Sequence, residues 1–222
     1  MEVSKRNKTI RTMATLSVLI ALTIVFCFVQ FSLLPNVPGF TVTFIIVAIG
    51  AVLLGPWAGA VLGLVFGLVS FGQAFIDPFG QILLAENVLL TFVVCVPTRV
   101  IMGLVVGLIY KAFRVKENKG AKFHIAHVVT SVSAPILNTL LFVGVFVGCF
   151  WNLPLVQNGI AGEGNLFLFI VAFVGLNFLL EVAVASSVGY LTSSKLTPVL
   201  RRYIDVYQNV VYLPKDRNGK SE

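Results

Sequence analysis

The stretch GAVLLGPWAGAVLGLVFGLVSF, residues 50–71, decides how this chain folds. It consists of two uncharged apolar runs separated by Gly55-Pro56. Glycine reaches backbone angles closed to other residues, and proline cannot donate the hydrogen bond that continues a helix, so the pair punctuates regular structure. It predicts a tight turn joining two helices as a hairpin; one helix kinked at Pro56 is the alternative. The second run carries Gly59, Gly63 and Gly67 at four-residue spacing, with Ala60 and Ser70 close by. One flank of that helix therefore lacks side chains, and another helix can approach it closely.

Composition says which solvent such helices meet. Of 222 residues 58% are hydrophobic and only 11% charged, and the mean hydropathy is +0.97. That leaves too little polar surface to coat a soluble globule, so the chain reads as an all-α integral membrane protein. Nineteen Gly agree with this, since glycine is better tolerated in membrane helices than in soluble ones. The net charge of +7 then need not imply a nucleic-acid partner, and none is expected. Cys27, Cys95 and Cys149 stand apart in apolar runs without CxxC spacing and read as small core residues rather than a disulfide framework or zinc site.

Six apolar spans are predicted, at about Thr12–Leu34, Thr41–Leu54, Trp57–Phe75, Asn87–Phe113, Ile125–Trp151 and Asn165–Ser193. The first follows a basic segment as a secretory signal would, but it is long enough to cross a bilayer and reads as a retained helix. The second, at ~21 Å for its fourteen positions, is either tilted out of the hydrocarbon or buried among neighbours. Lys and Arg cluster before span one, between spans four and five, and after span six, while the other loops have none. The positive-inside rule therefore puts both termini in the cytoplasm. The organisation is a basic N-terminus (1–11), a membrane domain (12–195) and a basic cytoplasmic tail (196–222).

Two charges remain inside the spans: Arg99 in the fourth and Glu181 in the sixth. A charge at bilayer depth costs at least ~2.5–3.5 kcal/mol, and such residues usually face the bundle interior and pair. Arg99, Asn138, Asn177 and Glu181 fall at a common depth, within ~20–25 Å of the outer surface, and Asn177 and Glu181 share a helical face. They read either as a structural ion pair pinning two helices or as the polar floor of a ligand pocket open to the outside. The loop GQAFIDPFGQILLAEN (72–87) is too apolar for a solvated linker and reads as a lid turning at Asp77-Pro78-Phe79-Gly80, or as an interfacial loop. It adds Gln73 and Asn87 to the candidate binding set. With the outer loops 33–40 and 152–165 it could seal a mostly apolar cavity with few polar anchors. Two small-residue stripes, Ala14-Ser17-Ala21 on helix one and Gly59-Gly63-Gly67 on helix three, are candidate partner-docking faces, or else pack on the protein's own helices.

The ordered combination of TIRTMATLSVLIAL, the hairpin above, VPTRVIMGLVVGLIY, APILNTLLF and NFLLEVAVA resembles the substrate-binding S components of bacterial energy-coupling factor (ECF) importers, over about residues 10–195. Within that family it is most similar to the pantothenate-type members. The resemblance implies a six-helix fold in the bacterial cell membrane and a vitamin pocket near the outer side closed by three loops. It also implies docking through helices one and three onto a scaffold membrane subunit driven by two ATPase subunits. Here Ser17 interrupts the family's alanine spacing on helix one. No GxxxxGK[ST] loop is present, so ATP use falls to the partners, and the chain is expected to be neither an enzyme nor a cofactor protein. Arg99 could fork onto the pantothenate carboxylate, with Asn138, Asn177 and Glu181 taking hydroxyl and amide groups. Folate, riboflavin or thiamine remain alternatives. A metal cargo is disfavoured, because His124 and His127 sit at the cytoplasmic mouth of span five, where an interfacial role is expected. A secondary transporter would show inverted repeats or a chain of ionisable groups, and a membrane enzyme GxSxG or HExxH; neither pattern is seen.

Overall fold

A computed structural model describes residues 2–33, 43–114, 120–154, 156–158, 178–179 and 181–204. All regular structure among them is helical: α1 (Glu2–Leu33), α2 (Phe44–Leu54), α3 (Pro56–Gln73), α4 (Pro78–Glu86), α5 (Val88–Ala112) and α6 (Ala121–Cys149), then a π-helical turn, Ala185–Gly189, leading into α7 (Tyr190–Ile204). Four stretches, Thr9–Val29, Pro56–Gln73, Val88–Ala112 and Ala121–Cys149, are long and apolar enough to cross a membrane. Most of the predicted sixth span and of the outer loops at 33–40 and 152–165 lies outside the described residues.

The Gly55-Pro56 signal produces a hairpin, not a kink. Gly55 takes φ 100°, a region closed to residues with a Cβ, and Pro56 opens α3 where its missing N–H costs nothing. α3 folds back on α2, with Leu62 against Gly50 and Gly59 against Ala51. α2, eleven residues and ~16 Å long, is buried among its neighbours from Ile46 to Leu53. That settles the choice its length left open.

Three readings are corrected. The segment 72–87 is not a loop: Asp77 caps α4 by accepting the Gly80 N–H at 2.9 Å, and Pro78 occupies its first turn. The helix of span six continues through 196–204, which the sequence assigned to the tail, because a buried stripe of Ser194 and Thr197 keeps it packed after hydropathy falls. The Gly59-Gly63-Gly67 flank is not a free docking face. It is filled by the backbone of α5, where a methyl at Gly63 would strike the Arg99 carbonyl, at Gly59 that of Gly103 and at Gly67 the Val96 backbone. The spacing signals close approach, and the partner is the protein's own α5.

Packing stratifies the bundle. One apolar cluster joins α1, α2, α3, α5 and α6 through Leu19, Phe44, Leu62, Phe66, Met102 and Ala134. A second plugs one end, where Phe79 and Leu83 of α4 meet Val94, Phe146, Phe150, Leu153 and Val156. The opposite end holds a small cluster around Tyr110 and Phe123. α1 presents Met13, Val18, Val25 and Phe28 outward, as a lipid-facing helix would.

Candidate functional site

Between the first two clusters lies a polar layer centred on Arg99. Pro97 leaves α5 one backbone donor short two residues before it. The carbonyls just upstream are taken by side chains: Thr98 Oγ1 donates to Val94, and Arg99 Nη1 donates to Cys95 at 3.0 Å and to Val94 at 3.3 Å. These bonds fold the arginine back along its own helix toward the α4 end. Its guanidinium carbon lies 4.9 Å from the centre of the Phe66 ring on α3 and 5.5 Å from that of Phe142 on α6, both within cation–π range. Arg99 is 6% exposed, yet its Nε has no hydrogen-bond partner among the described residues.

Other elements converge on this point. Asn138, one turn before Phe142 on the same face of α6, is buried. Glu181, 1% exposed, lies near enough to act electrostatically on Arg99, as do the thiols of Cys27 on α1 and Cys95 on α5. Cys27 Sγ in turn points at the buried Thr43 hydroxyl, 3.7 Å away. The layer thus gathers groups from α1, α3, α5, α6 and the segment before α7 around one guanidinium.

The remaining candidates stand apart. Gln73 reaches the layer only indirectly, donating to the Cys27 carbonyl at 2.9 Å and so tying α3 to α1. Asn87 is exposed and caps α5, accepting from Leu89 N (2.9 Å) and Leu90 N (3.1 Å), beside an open groove of about 630 Å³ lined by Phe71, Leu84 and Phe92. Asn177 lies outside the described residues. Ala14, Ser17 and Ala21 are exposed on α1. Sequence reading missed Phe66, Phe142 and Thr43, and it took Cys27 and Cys95 for core filler. His127 is also not interfacial: fully buried, its Nδ1 pairs with the Phe123 carbonyl at 2.8 Å and its Nε2 with the Thr197 hydroxyl at 3.1 Å, joining α6 to α7. No group of three or more His, Cys, Asp or Glu suited to a metal ion occurs among the described residues.

What this arrangement can do is hold an anion. A guanidinium with its plane covered by aromatic rings and one nitrogen tied to carbonyls has its Nε edge left for a carboxylate or similar acceptor. A search of curated proteins returns no match. Residues 11–192 match the family described as ECF transporter, substrate-specific component. That match spans most of the chain and includes the whole Arg99 layer, and the chain belongs to the ECF transporter substrate-specific component family.

Proposed function

We propose that the protein is the high-affinity vitamin-binding subunit of an ATP-driven ECF importer, that its cargo is a carboxylate vitamin, pantothenate first, and that Arg99 receives the carboxylate. As a substrate-specific component it takes a small-molecule substrate and works with ECF module partners, and it is a transport subunit rather than an enzyme. The observation that carries the cargo reading is the buried Arg99 Nε, which has no hydrogen-bond partner among the described residues, since such a donor costs free energy unless something supplies its hydrogen bond. Asn138, Glu181 and Asn177 take the hydroxyl and amide groups, and α4 with its apolar plug is the lid.

In this reading the chain crosses a bacterial cell membrane six times with both termini cytoplasmic. It meets a scaffold membrane subunit, itself driven by two ATPase subunits, through the exposed Ala14-Ser17-Ala21 stripe and the outward residues Val61, Leu64 and Leu68 of α3. The test is calorimetry on detergent-purified protein with pantothenate, folate, riboflavin and thiamine, together with co-purification of the membrane subunits. Pantothenate is expected to bind tighter than about 1 µM, equivalent to ~8 kcal/mol. Selective binding of thiamine or riboflavin would reassign the cargo, and proton-driven uptake by the isolated protein in liposomes would contradict an ATP-driven module.

A further inference from the structure

We propose that the π-helical turn Ala185–Gly189 is a movable joint: it stores one residue more than an α-helix needs there, and its passage toward the N-terminus turns Glu181 out of the bundle interior while α7 stays in place. The ground is a mismatch between spacing and burial. About eighteen residues make five whole turns of an α-helix, so an unbroken helix would set Val199 directly under Glu181. Yet Glu181 is 1% exposed and Val199 52%. The buried positions run Glu181, Ala185 and Gly189 at steps of four, then step by five to Ser194 and by three to Thr197. At about 100° per residue an unbroken helix would spread these positions over roughly 220°, more than one face can bury. With one residue discounted they fall within about 120°, and the exposed Ala183, Leu191, Lys195 and Val199 fall on the other side.

Local chemistry builds the turn. The Tyr190 N–H reaches back five residues to the Ala185 carbonyl, the bond that defines the wider coil. Widening strands carbonyls just upstream, and two adjacent serines serve them: Ser186 Oγ donates to the Ala183 carbonyl at 3.0 Å and Ser187 Oγ to the same oxygen at 2.7 Å. The turn lies close to α6, since a Cβ on Gly189 would stand 3.5 Å from that of Ser131. Downstream, α7 is held to α6 by the bonds of Thr197 with His127 Nε2 (3.1 Å) and of the Tyr190 hydroxyl with His124 Nδ1 (2.8 Å). A stored residue moves along a helix by exchanging one five-residue bond for one four-residue bond at each step. With α7 fixed, its passage beyond Glu181 turns that side chain by about 100°, away from the buried face. Resting on the reading of Glu181 as a ligand contact, this rotation withdraws a polar group from the ligand and favours its release.

The experiment deletes Ser186, an exposed residue of the turn, from the full-length protein. The shortened helix is regular and keeps Glu181 and Thr197 on one face, so its Tm is expected within about 3 °C of wild type. Deleting Leu140, exposed on the continuous α-helix α6, removes a residue that is not spare and is expected to abolish folded protein. Amide hydrogen exchange in the peptide 178–192, followed by mass spectrometry, is expected to slow at least about tenfold in the Ser186 deletion, because the joint is gone. Pantothenate is expected to dissociate from it at least about tenfold more slowly than from wild type. Loss of folded protein in the Ser186 deletion overturns the stored residue, and unchanged exchange overturns the joint. Slowed exchange with unchanged pantothenate dissociation overturns its coupling to the ligand. Failure of the wild type to bind pantothenate counts against the cargo reading alone, and the Tm and exchange comparisons still decide the joint.

Discussion

Arg99→Ala is expected to lower vitamin affinity by about thirty- to several-thousand-fold, the ~2–5 kcal/mol lost when one partner of a buried charge-assisted contact is truncated. The size follows from position. Among the described residues no other cation is placed in the layer, and the guanidinium is fixed in place by the Val94 and Cys95 carbonyls and by two rings rather than being free to relax. A preformed donor of this kind gives specificity because nothing else can satisfy the acceptor it was built for. Arg99→Lys separates charge from geometry: an ammonium keeps the sign but cannot present two parallel N–H groups, so it should recover only part of the loss. Calorimetry on both purified variants, with gel filtration to confirm that they remain folded, gives the answer. Unchanged affinity in Arg99→Ala would make the residue a structural tie between helices.

The second large effect is on the scaffold that holds Arg99. Gly63→Leu forces a branched side chain against the Arg99 carbonyl, where backbone rather than a movable side chain is in the way. Overpacking typically costs ~1–3 kcal/mol, and the rigid neighbour puts this case at the upper end. For a chain of this size ~3 kcal/mol corresponds to a fall in Tm of about 6–12 °C, read by thermal denaturation in detergent, and vitamin affinity should drop with it as α3 is pushed off α5. Ala14→Leu, on the exposed face of α1, is the contrast: it should leave Tm unchanged and weaken only co-purification with the scaffold subunit. Normal stability in Gly63→Leu with lost co-purification would return the glycine stripe to the docking surface.

Much of the fold was legible because a membrane protein writes its helices in hydropathy. The stretches around Thr9–Val29, Pro56–Gln73, Val88–Ala112 and Ala121–Cys149 stand out on apolar length alone, and Gly55-Pro56 fixes the hairpin through backbone chemistry that no other pair offers. The ends were less clear, because hydropathy marks where lipid stops and not where the helix does. α1 reaches back to Glu2 through basic residues that are good helix formers, and α7 runs on past Ser193. α4 was hidden by its nine residues, although Asp77 followed by Pro78 is a helix-start signal when weighed against the apolar run behind it.

The candidate site was legible only in its charges. Arg99, Asn138 and Glu181 stand out because polar groups are scarce within the spans, and the same scarcity explains why all three are buried rather than facing lipid. Phe66 and Phe142 could not be singled out from nineteen phenylalanines, since covering a guanidinium depends on which rotamers meet across α3, α5 and α6 and leaves no spacing in the sequence. The glycine stripe announced a close approach without naming its partner. His127 looked interfacial by position, but its burial depends on Thr197, seventy residues away.

The most direct test of the account is a structure of the protein with its vitamin bound. The expected result places the ligand's carboxylate about 3 Å from Arg99 Nε, between the Phe66 and Phe142 rings, with Glu181 and Asn138 on its polar groups. A vitamin seated elsewhere, with Arg99 and Glu181 unchanged and packed side chains filling the space between the rings, would contradict it.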